Sequence, residues 1–417
     1  MEESVTNNSS NAEQMYKMID KVRSETRLSY KLASHAVHVV LECLISIAPS
    51  PVAHFINETL KEPDFPPSPS NSVLDKTRDI LRLFEIAENL NSIKNDAQQR
   101  SWQLFDDQKI IMDYLNELNL ILIDADDAVS RRFLHLDDYG IVNCLAEYYQ
   151  MESRWSIKMI ILKTLDSLCI LSRTAIVILL GTVLPLELAR DIQNNFKDKT
   201  KLFATISVMT KMFSIGEPLP IIYIDTIGKD FVLFMLRLIE TPSDEADEDD
   251  IVLLVVNLIL VYNLQFNNFE DISTNITIQA LEEIENPKIF SETLLLLFNR
   301  GKDPVKCLDY QPYPQNSLLK MMKDIFSSYT TSNLFYKNDV RVLIDIVMRQ
   351  FNDGFSDNKE KIQWLVLIKE ILFKTDKTEY SDQLSSIKSC IIRILTDTEN
   401  ENIEEQLIKE ILEHLQI

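Results

Sequence analysis

Few residues in this chain of 417 have the types and spacing that chemistry needs. His35 and His38 lie three apart with Glu42 one turn on, so a helix would set all three along one side, as in a metal site. No third strong ligand stands near them, and paired histidines on a half-buried helix serve as packing residues without any metal. Gly228-Lys229 is followed by Asp230 where a phosphate loop needs Ser or Thr, and no glycine precedes it at the required distance. There is no Gly-x-Ser-x-Gly elbow and no Gly-x-Gly-x-x-Gly turn. Carboxylates are plentiful, but no pair stands out for acid–base work, since any acidic helical protein supplies dozens. The residues therefore read as a chain that is not an enzyme, with no catalytic group, no cofactor and no metal.

The more informative pattern is polar. From Leu294 to Gln350, two apolar helices flank an irregular segment dense in Pro, Tyr, Asp and Lys. The helix expected over Asp339–Phe351 carries Arg341, Asp345 and Arg349 four residues apart, on a background of core-grade Val340, Leu343, Ile344, Val347 and Phe351. One reading is a surface row of i,i+4 salt bridges, each contributing a few tenths of a kcal/mol. The other is a partner-binding surface. Gly301 is placed to end the preceding helix, and Lys302, Asp303, Lys306, Tyr310, Tyr313 and Tyr336 bring the charged and aromatic groups that interfaces use. The candidate partner-binding residues are Asp303, Lys306, Lys337, Asp339, Arg341, Asp345 and Arg349.

The elements that must position them are helices. With six Gly and 46% hydrophobic residues, the composition argues against sandwiches, barrels and doubly wound sheets. A formal charge of −22 disfavours nucleic acid and anionic membrane surfaces as partners. Cys43, Cys144, Cys169, Cys307 and Cys390 are scattered, with no Cys-x-x-Cys spacing, as reduced core thiols of the cytosol or nucleus would be. The opening MEESVTNNSSNAEQ is polar and acidic, unlike a signal peptide. The apolar runs Thr174–Leu186 and Ile251–Tyr262 fall short of the ~18–20 residues a spanning helix needs, and read as buried helices without membrane insertion.

Along the chain, residues 1–12 read as a disordered lead and 13–100 as an N-terminal helical segment. Within it Leu32, Ala36, Val39, Val40, Cys43 and Leu44 form an apolar stripe, Pro49 and Pro51 stop the helix, and a Pro-rich linker occupies 62–72. Ser72 is a candidate N-cap for a helix running through Leu90. Pro66–Pro69 has the PxxP spacing of an SH3 ligand, although a plain linker between helical blocks is the simpler account. The acidic run Asp244–Asp250 reads as a solvated loop leading into a helix N-terminus. From 101 to 417, helices of about 10–18 residues alternate with short breaks. Ile110–Ile123, Val129–Leu134, the Gly140-Ile141 corner and Val142–Tyr149 spell one armadillo-type unit. The expected fold is all-α, an armadillo-type helical-repeat solenoid.

Several stretches, in order, resemble the WISH/DIP/SPIN family of actin regulators, which groups Nck-interacting protein with SH3 domain with the fungal DIP and Ldb proteins; the animal branch is the nearer. They are VRSETRLSYKLASHAVHVVLE (Val22–Glu42), NDAQQRSWQLFDDQ (Asn95–Gln108), EYYQME (Glu147–Glu152), VLPLELARD (Val183–Asp191), FSIGEPLP (Phe213–Pro220), NPKIFSETLLLLFNRGKDPV (Asn286–Val305) and FYKNDVRVLIDIVMRQ (Phe335–Gln350). The resemblance covers the helical domain without the SH3 domain. It implies an armadillo-type domain in the cytoplasm, at the actin cortex, that binds the Arp2/3 complex by gripping a long helix of a scaffolding subunit. It further implies activation without a pre-existing filament, nucleating linear filaments that seed branched networks and acting on actin indirectly. A non-activating helical-repeat adaptor for cytoskeletal or endocytic proteins is the alternative. SH3 proteins at Pro66–Pro69 and a homodimer are left open.

Overall fold

Hydrophobic periodicity near 3.6, scarce glycine and frequent Ser, Asp and Asn at helix starts leave this chain one regular structure to form. The computed structural model describes all residues except 1, 62–68, 96–106, 224, 242–247, 267–273, 313, 356–357, 397–401 and 417. Among the described residues there are 22 α-helices, a few 3₁₀ turns and no strand. The chain divides into two units, Met1–Leu184 and Pro185–Ile417.

The first unit begins with α1 (Glu2–Thr26), α2 (Tyr30–Ile45) and α3 (Ser50–Lys61), each packed on the next. α1 includes most of the 1–12 stretch that the sequence marks as a lead. Its Tyr16 and Ile19 are buried, and the Tyr16 ring lies 5.7 Å from that of Tyr30. Then come α4 (Asn71–Leu74) and α5 (Arg78–Asn95), the latter tied to α1 by an Arg23–Asp79 ion pair. The expected N-cap at Ser72 is displaced. Ser70 precedes the four-residue α4, and Thr77, whose Oγ1 accepts the Ile80 amide (3.4 Å), begins the long helix. The interruption is stabilised from outside by Arg132, which donates to both Asp75 carboxylate oxygens at 2.7 and 3.0 Å.

α6 (Gln108–Asp124), α7 (Asp127–Leu136), α8 (Gly140–Met151), α9 (Trp155–Leu171) and α10 (Arg173–Gly181) follow. The short α7 and the longer α8 and α9 form an armadillo-type triplet in which α9 stacks on α6 while α8 lies against α5. Sequence dictates each boundary. Asp126 Oδ1 accepts the Ala128 amide at 3.0 Å and Ser172 Oγ the Ala175 amide at 3.3 Å, giving α7 and α10 their caps. At the α7–α8 corner Asp138 and Tyr139, not Gly140, carry the positive φ angles. Gly140 is there because a Cβ would come within 3.2 Å of Asp137 Oδ2, which accepts the Ile141 amide.

α11 (Leu184–Asn194), α12 (Lys199–Phe213), α13 (Lys229–Glu240), α14 (Glu248–Asn263), α15 (Ile276–Glu283) and α16 (Lys288–Arg300) lead into the rest of the second unit. That comprises α17 (Ser317–Ser327), α18 (Tyr329–Ser332), α19 (Lys337–Asp353), α20 (Asn358–Lys374), α21 (Leu384–Thr396) and α22 (Asn402–Gln416). Two layers emerge. α12, α14, α17, α20 and α22 stack in sequence as one, and α13, α16, α19 and α21 as the other. The short elements α15, α18 and the 3₁₀ turns of 377–383 link the layers, which is the armadillo-type repeat.

The core between the layers is aliphatic and aromatic. α17 alone buries Leu318, Leu319, Met321, Met322, Ile325 and Phe326; each such side chain contributes roughly 1.5–3 kcal/mol, set against the conformational entropy of ordering it. Of the two long apolar runs, Thr174–Leu186 is broken between α10 and α11. The other extends over Asp249–Phe266, long and apolar enough by composition to cross a membrane, but most of it is interior, including Val255, Val256, Ile259 and Leu260.

Candidate interaction surface

The Arg341–Asp345–Arg349 ridge lies on α19, which buries Val340, Leu343, Ile344, Ile346, Val347 and Phe351. Asp339 is the third residue of that helix and its carboxylate accepts the Tyr336 amide at 3.0 Å, closing the first turn. Tyr336 Oη donates to Asn286 Oδ1 (3.3 Å) just before α16 begins. At the other end, Arg349 Nη2 donates to both the carbonyl (3.0 Å) and Oδ1 (3.1 Å) of Asn299 near the end of α16. α16 and α19 therefore run side by side in the same direction.

The ridge is neither of the arrangements that spacing suggests by itself. Its bonds do not run up the helix from Arg to Asp. They run sideways. Arg341 Nε donates to the Glu379 carbonyl at 2.8 Å and its Nη2 to Asp382 at 3.1 Å. Gln383 Nε2 donates to Asp345 Oδ1 and to the Arg341 carbonyl (3.1 Å). One helix on, Arg393 Nη2 donates to Asn352 Oδ1 at 2.5 Å. The layer of α16, α19 and α21 is thus cross-linked by guanidinium rungs, and Arg341 and Arg349 are two of them.

The other candidate residues occupy separate places. Asp303 is half-buried in the connection after α16. It accepts the Val305 amide (3.2 Å) and both the amide (2.9 Å) and hydroxyl (2.7 Å) of Ser317, so it shapes the connection and starts α17. Gly301, at φ 69°, ends α16 as its position requires. Lys306 is exposed on the same connection and Lys337 on the first turn of α19. Lys337 and Arg349 are about 18 Å apart along the helix. The candidates form an elongated edge, not a pocket. Exposed apolar side chains accompany it: Leu296 on α16, Tyr336 and Val342 at α19 and Ile392 on α21. Tyr313, Pro66–Ser68 and Asp244–Asp247 of the acidic run lie outside the described residues.

Behind this edge is a buried polar cluster that the sequence reading missed. Lys320 Nζ meets Asp324 Oδ2 at 2.5 Å, Asn263 Nδ2 donates to the same oxygen (2.8 Å), and Asn275 Nδ2 reaches both Asn263 Oδ1 (2.8 Å) and Asp324 (3.2 Å). All four side chains are buried. Burial pushes the Lys320 ammonium below its ordinary range, against the pull of Asp324. In sequence Lys320 and Asp324 sit i,i+4 among Leu318, Leu319, Met321, Met322, Ile325 and Phe326, with Lys323 beside them. In the first unit, His38 Nδ1 lies 3.7 Å from Glu42, and among the described residues no group of three or more His, Cys, Asp or Glu is placed to hold a metal ion.

Residues 248–388, from the start of α14 into α21, match the leucine-rich domain of the SPIN90/Ldb17 family. This segment belongs to that domain family. It is a distant homologue of protein dip1 of Schizosaccharomyces pombe, 26% identical over 174 residues, which cover 38% of this chain and 43% of dip1. The aligned stretch thus spans under half the length of that curated relative. Among solved structures, a designed armadillo repeat protein is similar at 10% identity over 65% of this chain and 98% of its own (TM-score 0.34). An engineered protein is similar at 12% identity over 98% and 99% (TM-score 0.39). The family segment contains all seven candidate residues, the guanidinium rungs of α19 and the buried Lys320–Asp324 cluster.

Proposed function

We propose that this protein binds the Arp2/3 complex and activates it without a pre-existing filament, so that the complex nucleates a linear actin filament able to seed a branched network. The observation that carries this reading is the match of residues 248–388, the stacked helices α14 to α20 and the start of α21, to the leucine-rich domain of the SPIN90/Ldb17 family. The actin-regulator resemblance of the sequence stretches outside that segment agrees with it. In this reading the protein is a non-catalytic regulator of the cytoplasmic actin cortex.

The physical task is to hold one conformation of a large partner. A protein that bound the active and inactive arrangements equally would shift nothing, so its surface must be more complementary to the active one. A cross-linked helical layer suits this, because a rigid face loses little conformational entropy on docking. The partner edge proposed is that of α19 and the 301–306 connection. Lys306 and Lys337 supply charge at exposed positions, and Asp303, Asp339, Arg341, Asp345 and Arg349 both shape the edge and contribute polar groups to it.

The test is polymerisation of pyrene-labelled actin with purified Arp2/3 complex and no filament seeds. Shortening of the lag by the protein supports activation. An unchanged lag despite binding in a pull-down returns the adaptor reading. Lys306→Glu with Lys337→Glu should weaken the pull-down while leaving the helical circular dichroism in place; unchanged binding would move the contact elsewhere.

A further inference from the structure

We propose that Ile221 and Ile222, in the connection between α12 and α13, form an apolar knob that seats in a basic-rimmed apolar socket on the protein's partner; that this partner is the Arp2/3 complex rests on the reading above. The two side chains are 82% and 77% exposed, and Ile221 is the barest large apolar residue among those described. Apolar residues exposed singly are ordinary, whereas two bare neighbours mark a contact. Both sides of the pair are tied into the core. Before it, Ser214 and Ile215 are buried, and the Phe213 carbonyl accepts from Gln265 Nε2 at 3.0 Å. Directly after it Tyr223 is buried, and its amide donates to the Pro220 carbonyl at 2.9 Å. Buried Ile227 follows, its amide donating to the Tyr223 carbonyl at 2.8 Å and its own carbonyl accepting from Tyr262 Oη. Pro218 and Pro220 fix φ on the approach. A turn braced in this way holds the two isoleucines out in solvent and loses little entropy when they dock.

The surroundings specify the occupant. No Lys or Arg occurs from Met212 to Gly228, while Asp225 and, at the start of α13, Asp230 are exposed. Lys229 between them is engaged by Glu283 at 2.7 Å. An apolar centre with an acidic margin is complementary to an apolar socket with Lys or Arg on its rim. The same charges disfavour an anionic membrane, where a loop that inserts apolar side chains relies on cations beside them. Continuity favours the partner already proposed. The connection after α16, which carries Lys306, reaches the base of this turn, with Cys307 Sγ 3.7 Å from Ser214 Oγ. The knob and the 301–306 part of the proposed edge thus lie on adjoining connections.

The experiment is a binding titration of the full chain with purified Arp2/3 complex, beside sedimentation with vesicles of phosphatidylcholine and phosphatidylserine. Ile221→Asp with Ile222→Asp should raise the Kd for the complex at least about thirtyfold while the helical circular dichroism stays in place. Ile221→Leu with Ile222→Leu keeps the apolar surface and should stay within about tenfold of the unmodified chain. Asp225→Lys should weaken binding several-fold at low salt, with the difference shrinking as salt is added. The vesicles should not carry the protein down. Unmodified chain that binds the complex while the aspartate pair binds equally well overturns the knob and leaves the proposed function standing. Unmodified chain that does not bind the complex overturns the proposed function, and this contact with it. Indifference to Asp225→Lys overturns the basic rim. Vesicle binding that the aspartate pair abolishes overturns the protein socket in favour of a membrane.

Discussion

α2 and α19 are both amphipathic helices, and they invert each other. On α19 the charged ridge looks free in sequence and is bonded in structure: Arg341 to the 377–383 turns, Asp345 to Gln383, Arg349 to Asn299. On α2 the apolar stripe looks like a packing face in sequence, yet the helix docks through Tyr30, Ala33, Ser34 and Val37 and leaves the stripe in solvent. The difference teaches that periodicity identifies faces but not which face a neighbour covers. Ala33 and Ser34 lie on the covered face of α2, whereas the long guanidinium side chains of α19 add bonds to the neighbours that helix already stacks on.

This contrast can be broken by mutation, because polar groups held by the fold should be costly to remove and apolar groups outside it should not. The largest effect belongs to the buried cluster. Asp324→Ala leaves the Lys320 amino group buried without its carboxylate between α14 and α17, and should destabilise by about 3–5 kcal/mol in urea unfolding. Replacing both, Lys320→Met with Asp324→Leu, should recover most of that loss.

Glu152 comes next. It is buried between α8 and α9, which would raise its carboxyl, but the Arg154 guanidinium and the Ser153 and Arg154 amides outweigh burial and hold it below the ordinary value of 4.5. Its stabilisation is therefore complete above 4.5 and lost as pH falls through the lower folded value. Glu152→Gln should remove about 1.5–3 kcal/mol at neutral pH and flatten that part of the acid limb, as read by melting temperature against pH.

The rungs are smaller contributors. Arg341→Ala and Arg349→Ala should each lower stability by about 0.5–1.5 kcal/mol. Amide exchange should quicken first in the 377–383 turns for Arg341→Ala, and at the end of α16 for Arg349→Ala. If neither variant moves the melting temperature, the ridge is ornament to the fold and its side chains are available to a partner. Leu32→Gln on the exposed stripe of α2 should have the least effect, within about 0.5 kcal/mol, and a larger loss in the melting curve would mean that the stripe is packed within the chain.

Much of the architecture was legible. Gly301 and the Gly140 corner follow from local chemistry, because a helix end or a positive φ angle is decided by a few adjacent residues. The start of α5 was not, since the Asp75 turn that delays it is held by Arg132 from a helix more than fifty residues on. The candidate edge was half legible. The residue types and the α19 stripe could be read directly, but the partners Asn299, Glu379, Asp382 and Gln383 lie 38–50 residues away in sequence and no spacing announces them. The buried Lys320–Asp324 pair resembled an ordinary surface i,i+4 pair, and only the packing of α14 against α17 makes it interior.

The central claim is activation, and its most direct measurement is the lag of actin polymerisation with Arp2/3 complex, without filament seeds or any other activator, as this protein is titrated in. The account predicts that the lag shortens in proportion to protein added and that the new filaments, imaged singly, are linear. A lag that stays unchanged at concentrations saturating a pull-down of the complex would contradict it.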